Sequence, residues 1–380
     1  MIRPLISLFF LFIISAQAYE LSLTGILHSE YEQTYAKDNN TSLGDDSNSF
    51  STSYIESLYV YDFTDDIFVS LGAKANYVVG NSTYTTPEYL RTKLSSDDIN
   101  QMMISEASLN YSDDLVSFSV GRHYVDFDWI QGSIDGVIAS IGNDEEHSLR
   151  MFWFNEFEEL TYNYYVNITN INENLGMYGM IFKTHFTDDF ELSIYNYYMQ
   201  DLRNLAGAEI KYMHEAFALN LAYTRSDALS LALYVYDEEF WNASMEYLFN
   251  QKNYIEVGLS KTGKNGLFAT GQLGSFMFGQ FYLSNQVDRE NALNGFAHYL
   301  YVSSSWRFDL IAGATQYDNS YIRIEDALFA AEIDTYLRYQ YNSNVAFELG
   351  AMAMRVDERD PLQSNQSLVI FNLVLSYDVI

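Results

Sequence analysis

The sequence contains no cysteine, only 3 prolines and few basic residues, with 20 Lys and Arg against 51 Asp and Glu. The absence of cysteine fits an oxidising compartment, where free thiols are a liability, although many cytosolic proteins also lack cysteine. A formal net charge of -31 argues against a nucleic-acid-binding protein, because such a protein carries a basic face. After residue 20 there is no stretch long and apolar enough for a membrane-spanning helix.

Aromatic residues, by contrast, are abundant, with 33 Tyr, 26 Phe and 4 Trp spread along the chain. Such residues favour strands and membrane interfaces. After Tyr19, apolar and polar residues alternate nearly everywhere, in runs of about ten residues that are typical of transmembrane barrel strands. Clear examples are the runs at 67–77, 217–224, 241–249, 329–339 and 345–351.

The first eighteen residues have the features of a signal peptide. Arg3 supplies a positive start, Leu5 to Ile14 form a short apolar run, and Ala16-Gln17-Ala18 matches a cleavage site. An uncleaved anchor is the alternative, but the apolar run is too short to span a bilayer and has no stop-transfer flank. We therefore expect a signal peptide at 1–18 and one mature domain at 19–380.

The connections between the alternating runs are of two kinds. Short acidic turns place two Asp between an aromatic and an apolar residue, at 63–67, 111–115 and 186–190. Long polar connections occupy 36–49, 80–100, 158–175, 226–239, 264–291 and 319–326. Short turns at one rim and long loops at the other are the layout of an outer-membrane barrel, with the short turns on the periplasmic side.

These patterns predict an all-β fold: a transmembrane antiparallel up-and-down β-barrel of about 18 strands, with 16 strands as the runner-up. The predicted strands begin near residues 19, 50, 67, 101, 115, 133, 147, 176, 190, 205, 217, 240, 254, 294, 307, 327, 345 and 366. The segments 158–175, 226–239 and 264–293 are the least defined, and the last has room for a further hairpin. A secreted β-sandwich is the alternative, but it rarely tolerates so many large aromatics.

One stretch, 115–142, combines two alternating runs with a polar segment between them. Val116, Phe118 and Val120 alternate, Gly121-Arg122 follows, and a short acidic and aromatic segment leads to a second alternating run at 134–141. This order resembles the point in bacterial general porins where the fifth strand passes into the third loop. The resemblance implies that the loop folds into the pore and narrows it.

Arg122 needs a special arrangement in this stretch. Strict alternation after Val120 would place it on the lipid face, where a base costs about 2–4 kcal/mol near the midplane. We expect a shift of parity at Gly121, which can adopt conformations that other residues avoid, so that Arg122 turns inward.

The porin resemblance also implies a transverse field, with an acidic loop facing a basic wall. Arg122 would be the wall charge, and the acids that flank the inward loop would be Asp126, Asp128 and Asp135. The alternative is an external loop in which Phe127 and Trp129 pack on the barrel rim.

If the apolar parity faces lipid, the charged residues of the opposite parity line the lumen, among them Lys74, Glu332, Asp334, Arg338 and Glu348. Acids outnumber bases in this set, and an acidic lumen favours cations. The simpler interpretation is that these are solvated wall residues without individual roles, so the excess of acids carries the inference.

The sequence gives little support for catalysis. His28-Ser29-Glu30 and His147-Ser148 are isolated pairs, whereas a nucleophile needs an oriented base within hydrogen-bond reach. No metal-ligand spacing or phosphate-binding glycine loop is apparent. We therefore predict neither an enzyme nor a bound cofactor or metal.

The resulting functional prediction is a passive outer-membrane channel, a porin, for small hydrophilic solutes and preferring cations. Its partners would be outer-membrane lipid, solutes and ions, and not nucleic acid; the porin resemblance also implies a homotrimer. The alternatives are a substrate-specific channel, an exporter of a polymer such as an anionic polysaccharide, and a plugged structural or adhesive barrel. The acidic wall argues against an anionic polymer.

The signal peptide is directly testable. Because Ala16-Gln17-Ala18 follows the apolar run, the mature N-terminus should be Tyr19. N-terminal sequencing of the protein extracted from cell envelopes measures this, and an intact Met1 would contradict it.

Overall fold

The structure is a computed structural model. It describes residues 19–35, 46–82, 101–143, 145–161, 165–168, 171, 175–200, 202–229, 237–267, 287–318, 326–360 and 365–379. The predicted signal peptide, 1–18, lies outside the described residues. So does the segment 268–286, which contains most of the region with room for a further hairpin.

Strands make up the described part of the chain. The first ten are β1 Tyr19–Tyr35, β2 Asp46–Asp62, β3 Ile67–Ser82, β4 Met102–Ser112, β5 Val116–Phe127, β6 Ile130–Asn143, β7 His147–Leu160, β8 Tyr165–Ile168, β9 Met177–Thr187 and β10 Phe190–Met199. The remainder are β11 Arg203–His214, β12 Phe217–Ala228, β13 Glu238–Asn250, β14 Asn253–Thr262, β15 Glu290–Val302, β16 Trp306–Asp318, β17 Leu328–Asn342, β18 Val345–Val356 and β19 Asn365–Val379. No helix among these residues is long and apolar enough to cross a membrane.

Eighteen of the strands form a closed antiparallel barrel, and β1 closes it by pairing with both β2 and β19. The short β8 pairs only with the end of β7, while β7 also pairs with β9. The predicted fold and the count of 18 strands are confirmed, and the runner-up count of 16 is wrong. Each predicted start lies within four residues of the observed one.

The short turns lie together at one rim, which we call the periplasmic rim. The turn after β4 shows why two Asp suit this position. Its Asp113 carboxylate accepts hydrogen bonds from the Tyr111 hydroxyl at 2.6 Å and from the backbone N–H groups of Leu115 and Val116 at 2.8 and 2.7 Å. These bonds, the Tyr111 bond foremost, lower the pKa of the Asp113 carboxyl. The side chain thereby takes the place of the missing strand partners.

The outer surface of the barrel is apolar. On β18 and β19, for example, Leu349, Val369 and Phe371 are exposed, while their chain neighbours Glu348 and Ile370 are buried on the inner side. Aromatic pairs lie near the rims, such as Trp306 and Tyr339, whose ring centroids are 4.4 Å apart. An apolar band flanked by aromatics is the surface that a barrel presents to a bilayer.

A closed barrel has no strand edge at which unfolding can begin, so the protein should resist detergent until heated. We expect unheated samples to migrate differently from boiled ones on denaturing gels, together with a β-type circular-dichroism spectrum in detergent. Identical migration before and after boiling, or a helical spectrum, would contradict the closed barrel.

Candidate pore constriction

A hairpin leaves the barrel wall between β4 and β7. The pairing of β5 with β4 ends at Arg122, although β5 stays paired with β6 as far as Phe127 and Ile130. The pairing of β6 with β7 begins only at Ser133. Residues 123–132, here called the constriction hairpin, therefore form ladder pairs with each other and with neither neighbouring strand.

Trp129, at the tip of this hairpin, docks on the inner wall of distant strands. Its Nε1 donates to the Tyr195 hydroxyl of β10 at 3.0 Å and to Thr224 Oγ1 of β12 at 3.2 Å. Its ring meets Phe240 of β13 edge-on, with centroids 5.9 Å apart. Only 1% of Trp129 is exposed. The hairpin thus lies inside the barrel, and the external-loop alternative does not fit.

The backbone of Trp129 is in the left-handed region, with φ of 69°. This conformation costs roughly 1–2 kcal/mol for a residue with a side chain. Truncating a buried Trp or Phe typically costs about 3–5 kcal/mol, so the docking of Trp129 outweighs the strain. The comparison of these two energies indicates that the contacts of the Trp129 side chain hold the tip of the hairpin in place.

The odd-numbered residues of the hairpin extend this contact into an apolar cluster. Val125 and Phe127 are buried, and the Phe127 ring stacks on Phe152 of β7 with centroids 4.9 Å apart. The other buried members come mainly from the inner wall between β6 and β13: Trp129, Ile130, Ile134, Phe154, Phe157, Ile171, Met177, Tyr195, Tyr197, Leu205, Phe240 and Leu267. The hairpin is therefore packed against one side of the lumen.

The predicted shift of parity at Gly121 is wrong. The register of β5 is unbroken against both β4 and β6. Gly121 instead has φ of 116°, and a Cβ there would come within 2.3 Å of the Ala107 carbonyl oxygen. Val120, Tyr124 and Asp126 lie on the same face of β5 and are all exposed. Because the hairpin bends inward after Arg122, this face points to lipid at Val120 and to the lumen at Tyr124 and Asp126.

Side chains replace the strand pairing that the hairpin gives up. Arg122 Nη1 donates to the Ile104 carbonyl at 3.2 Å, and the Tyr124 backbone N–H donates to Glu106 Oε1 at 2.8 Å. Both acceptors belong to β4, the strand that β5 leaves. These bonds satisfy polar groups that would otherwise be left without partners inside the membrane.

Arg122 is the centre of an acidic cluster at the root of the hairpin. Its guanidinium lies 2.6 Å from Asp135 Oδ2, 2.6 Å from Glu158 Oε2 and 3.4 Å from Glu156 Oε2. Its side chain is 19% exposed and borders a cavity of about 480 Å³ shared with lipid-facing Ile104. Arg122 and Asp135 are thus brought together as partners and do not face each other across a pore.

The other two predicted loop acids lie apart from Arg122. Asp126 is exposed to the lumen, whereas Asp128 is partly buried in the turn. At the tip of the hairpin, Asp128 precedes Trp129, whose side chain docks on β10, β12 and β13. The predicted transverse field stays a prediction, with Arg122 compensated by Asp135, Glu156 and Glu158 at the root of the hairpin and Asp128 at its tip.

The predicted wall charge Lys74 ties β3 to the hairpin region. Its Nζ lies 3.2 Å from Glu159 and 3.7 Å from Glu56, and it sits 4.8 Å from the centre of the Tyr124 ring. Lys74 is 5% exposed. It therefore acts within a buried network more than as a free lumen charge.

The remaining predicted wall charges lie on β17 and β18. Glu332 and Asp334 are buried on the inward face of β17. Arg338 donates to Glu348 at 3.1 Å, and Glu348 also accepts from Asn372 of β19 at 2.9 Å. Asn372 in turn contacts His28 of β1. The predicted residues Arg338 and Glu348 thus belong to one network that crosses four strands.

Four salt bridges of the inner wall share an arrangement that the sequence does not display. The pairs are Lys183–Glu191, Lys211–Glu209, Arg307–Asp309 and Arg338–Glu348, at 3.2, 3.0, 2.8 and 3.1 Å. The side chains of the bases are 36 to 53% exposed and those of the acids 8 to 9%. A solute in the lumen therefore meets the bases first, with the acids recessed behind them.

Acids nevertheless remain in excess on the inner side. Among the side chains that the structure describes, Lys74 and Arg203 are the only buried Lys or Arg. The buried acids are Glu30, Glu32, Glu158, Glu159, Glu191, Glu209, Glu238, Glu256, Asp309, Glu332, Asp334, Glu348 and Asp360. Sequence reasoning missed Lys183, Arg203 and Arg307, although their alternation with lipid-facing residues could have identified them.

A polar niche of about 440 Å³ adjoins the constriction hairpin. Its lining includes His123 and Phe127 of the hairpin and, on the strands below, Ser70, Asn110 and Arg150. The niche lies in the periplasmic half of the barrel, because its lining also includes Ser112 and Ser117 beside the turn after β4.

The isolated His–Ser pairs do not form nucleophile–base arrangements. His28 is buried on the inner side and its Nδ1 lies 2.7 Å from Asn372 Oδ1, whereas Ser29 is on the opposite face, 3.0 Å from Ser51. His147 Nδ1 contacts Thr184 Oγ1 at 2.6 Å. In the described ranges no group of three or more His, Cys, Asp or Glu could hold a metal ion.

No protein-family model and no curated protein sequence matches the chain. Several solved structures do match over nearly their whole length. OccAB1 from Acinetobacter baumannii has 8% identity and a TM-score of 0.74, covering 96% of this chain and 98% of that one. OccAB2 from the same organism has 12% identity and a TM-score of 0.73, covering 96% and 99%. The outer membrane protein OpdK from Pseudomonas aeruginosa has 10% identity and a TM-score of 0.71, covering 96% and 100%.

These similarities show that the chain has the fold of bacterial outer-membrane porins. The fold and the apolar outer band together are those of an outer-membrane barrel. At this level of identity the likeness concerns the fold, and the solute has to be argued from the lumen itself.

Trp129 is the residue whose removal should open the constriction. Trp129→Ala removes both hydrogen bonds and the contact with Phe240, at a typical cost of about 3–5 kcal/mol, so the hairpin should detach and single-channel conductance should rise. Trp129→Phe keeps a ring and should have a smaller effect. Conductance is measured in planar bilayers.

The matched control is Trp306→Ala, which removes an exposed Trp at the periplasmic rim and should leave conductance unchanged. Equal conductance in native protein and in Trp129→Ala would mean that the hairpin does not limit the pore.

Proposed function

We propose that the chain is a passive channel for small hydrophilic solutes in the bacterial outer membrane. The observation that carries the proposal is the docking of Trp129 on the inner wall of β10, β12 and β13, which places the hairpin inside a lumen lined with charged residues. The proposed mechanism has no chemical step. Solutes diffuse through a polar lumen and are selected by width and by wall charge.

Selection by size would occur where the constriction hairpin faces open lumen. Tyr124 and Asp126 are the exposed side chains of that face. Because the opposite face of the hairpin is buried in the apolar cluster, its position is fixed by packing. A rigid constriction of this kind excludes large solutes regardless of salt concentration.

For simple ions we propose a preference for cations. The inner side carries more acids than bases, and their summed charge acts over the Debye length, which is about 30 Å at 0.01 M salt and about 3 Å at 1 M. Even the recessed acids therefore contribute in dilute salt. The preference should fade in concentrated salt, unlike exclusion by size.

A second candidate is a channel for solutes that carry a carboxylate. The exposed bases Lys183, Lys211, Arg307 and Arg338 favour it, because a solute in contact with the wall interacts with the outermost charges. Arginine in particular can bind a carboxylate through two hydrogen bonds. One of the similar structures is OpdK with vanillate, a carboxylate, with 11% identity and a TM-score of 0.70.

The remaining alternatives have less support. The excess of acids argues against an anionic polymer as cargo. A plugged structural barrel would conduct no ions, which bilayer measurements can decide. The homotrimer implied by the porin resemblance is not supported by the comparisons, so we propose the single barrel as the conducting unit.

Ion preference is measured by the reversal potential across a KCl gradient. The native channel should prefer potassium in dilute salt, and the double variant Glu332→Gln with Glu348→Gln should prefer it less, because two buried wall acids are neutralised. Glu145→Gln removes an exposed acid from the periplasmic turn after β6 and serves as the matched control. A native potential of chloride sign would overturn the cation preference.

The same planar-bilayer measurements test the second candidate, a channel for solutes that carry a carboxylate. The permeability of benzoate relative to uncharged glucose should fall in Arg307→Gln with Arg338→Gln if carboxylates use the exposed bases. Lys252→Gln, in the periplasmic turn after β13, is the control for loss of a base. An unchanged ratio would eliminate the carboxylate channel while leaving the general channel intact.

A further inference from the structure

An apolar groove of about 430 Å³ lies on the lipid-facing surface of the barrel. It runs across β11 to β15 and is lined on the outside by Ala208, Ile210, Leu221, Ala243, Leu259 and Leu293. The strand register explains its shape. Ala243 lies directly between Leu221 of β12 and Leu259 of β14, so a small side chain is flanked by two large exposed ones.

The upper end of the groove carries an aromatic pair. Tyr223 and Trp241 are cross-strand neighbours whose ring centroids are 4.1 Å apart. They lie one step nearer the long-loop rim than Leu221 and Ala243, because β12 runs toward that rim and β13 away from it. Tyr and Trp at this height mark the level of lipid headgroups.

A base stands beside the aromatic pair. Lys261 is the register partner of both Trp241 and Leu293, is exposed, and forms no salt bridge with any described residue. Arg225, two residues above Tyr223 on β12, is also exposed, although it contacts Asp227 at 2.6 Å and Glu239 at 3.6 Å. In a chain of net charge -31, Lys261 is a local positive site at the membrane surface.

We propose that this groove holds one lipid of the surrounding membrane, with an acyl chain along Leu221, Ala243 and Leu259 and its phosphate on Lys261. Charge complementarity selects the occupant, because a basic group at the headgroup level attracts anionic lipid and the groove below it accepts only apolar chains. Arg225 is the second cation within reach of the headgroup. The proposal requires that the outer face of the barrel contacts lipid, and it is independent of which solute the channel conducts.

The dimensions agree with this assignment. From Lys261 to Val257, both on the outer face of β14, the strand spans about 13 Å at roughly 3.3 Å per residue. The groove therefore extends from the headgroup level well into one leaflet. A free phosphate ion would use only the upper end of the site, and a second copy of this chain would bring another strongly acidic molecule to it.

The test uses the purified barrel in non-ionic detergent with a defined lipid, read by native mass spectrometry. Phosphatidylglycerol should be retained more than diacylglycerol, which has the same chains and no phosphate. Lys261→Gln should lower phosphatidylglycerol occupancy roughly five-fold, the effect expected of one base at a membrane surface. Lys252→Gln is the matched control, since it removes a base from the opposite end of β14 without touching the groove.

The groove is tested separately from the charge. Ala243→Leu fills the space between Leu221 and Leu259 and should lower the retention of both lipids, with Lys261 intact. Inorganic phosphate alone should not displace phosphatidylglycerol. Equal retention of phosphatidylglycerol by the native protein and by Lys261→Gln would overturn the proposed phosphate contact. Unchanged retention of both lipids by Ala243→Leu would overturn the proposed binding of the acyl chain in the groove. Protein dimers that disappear in Ala243→Leu, without bound lipid, would assign the groove to a second copy instead.

Each variant is first checked for the heat-dependent gel shift, so that misfolding cannot imitate loss of lipid. Because Lys261 and Ala243 both lie on the outer face, a folded variant should also keep the native single-channel conductance. A folded variant with altered conductance would indicate that the substitution disturbed the lumen and would count against a site confined to the outer surface.

Discussion

Every backbone N–H and C=O in a bilayer must find its partner within the protein, and this constraint shapes the whole chain. It closes the sheet, so that β1 pairs with β19 as well as with β2. Closure sends alternate side chains to lipid and to the lumen. The apolar outer band, the charged inner wall and the short turns at one rim are all consequences of meeting that constraint with strands.

At the constriction hairpin the pairing between neighbouring wall strands is interrupted, and the local chemistry reflects it. Arg122 and Glu106 supply hydrogen bonds where β4 and β5 separate. Three carboxylates then surround Arg122, so that its charge is compensated close to the lipid-facing surface. At the other end of the hairpin, Trp129 is held by the inner wall of β10, β12 and β13. The narrowing of the lumen therefore depends on both a charged root and an apolar tip.

The charges of the inner wall act at two ranges. The summed excess of acids determines the potential that a distant ion experiences in dilute salt. The outermost atoms, which belong to bases such as Lys211 and Arg307, determine what a solute touches. Each of these bases forms a salt bridge with a recessed acid. At long range the two charges of a pair cancel, whereas a solute that contacts the wall meets the positive charge. The two proposed functions correspond to these two ranges.

The sequence by itself determined the barrel and the short turns, because alternation and turn chemistry are local properties of the chain, and it predicted about 18 strands while leaving 16 open. It also marked 115–142 as unusual, but it did not determine how Arg122 is accommodated, since an unbroken register with an inward bend looks the same in sequence as a parity shift. The partners of Trp129, the pairing of Arg122 with Asp135, and the recessed position of Glu209 behind Lys211 were decided only by the tertiary structure. The partners of Trp129 depend on which strands closure of the barrel brings face to face, and residues far apart in the chain carry no local signal of that. Arg122 with Asp135 and Glu209 with Lys211 are near in the chain, but the strand register and the packing of the wall decide that each pair bonds and which side chain is recessed.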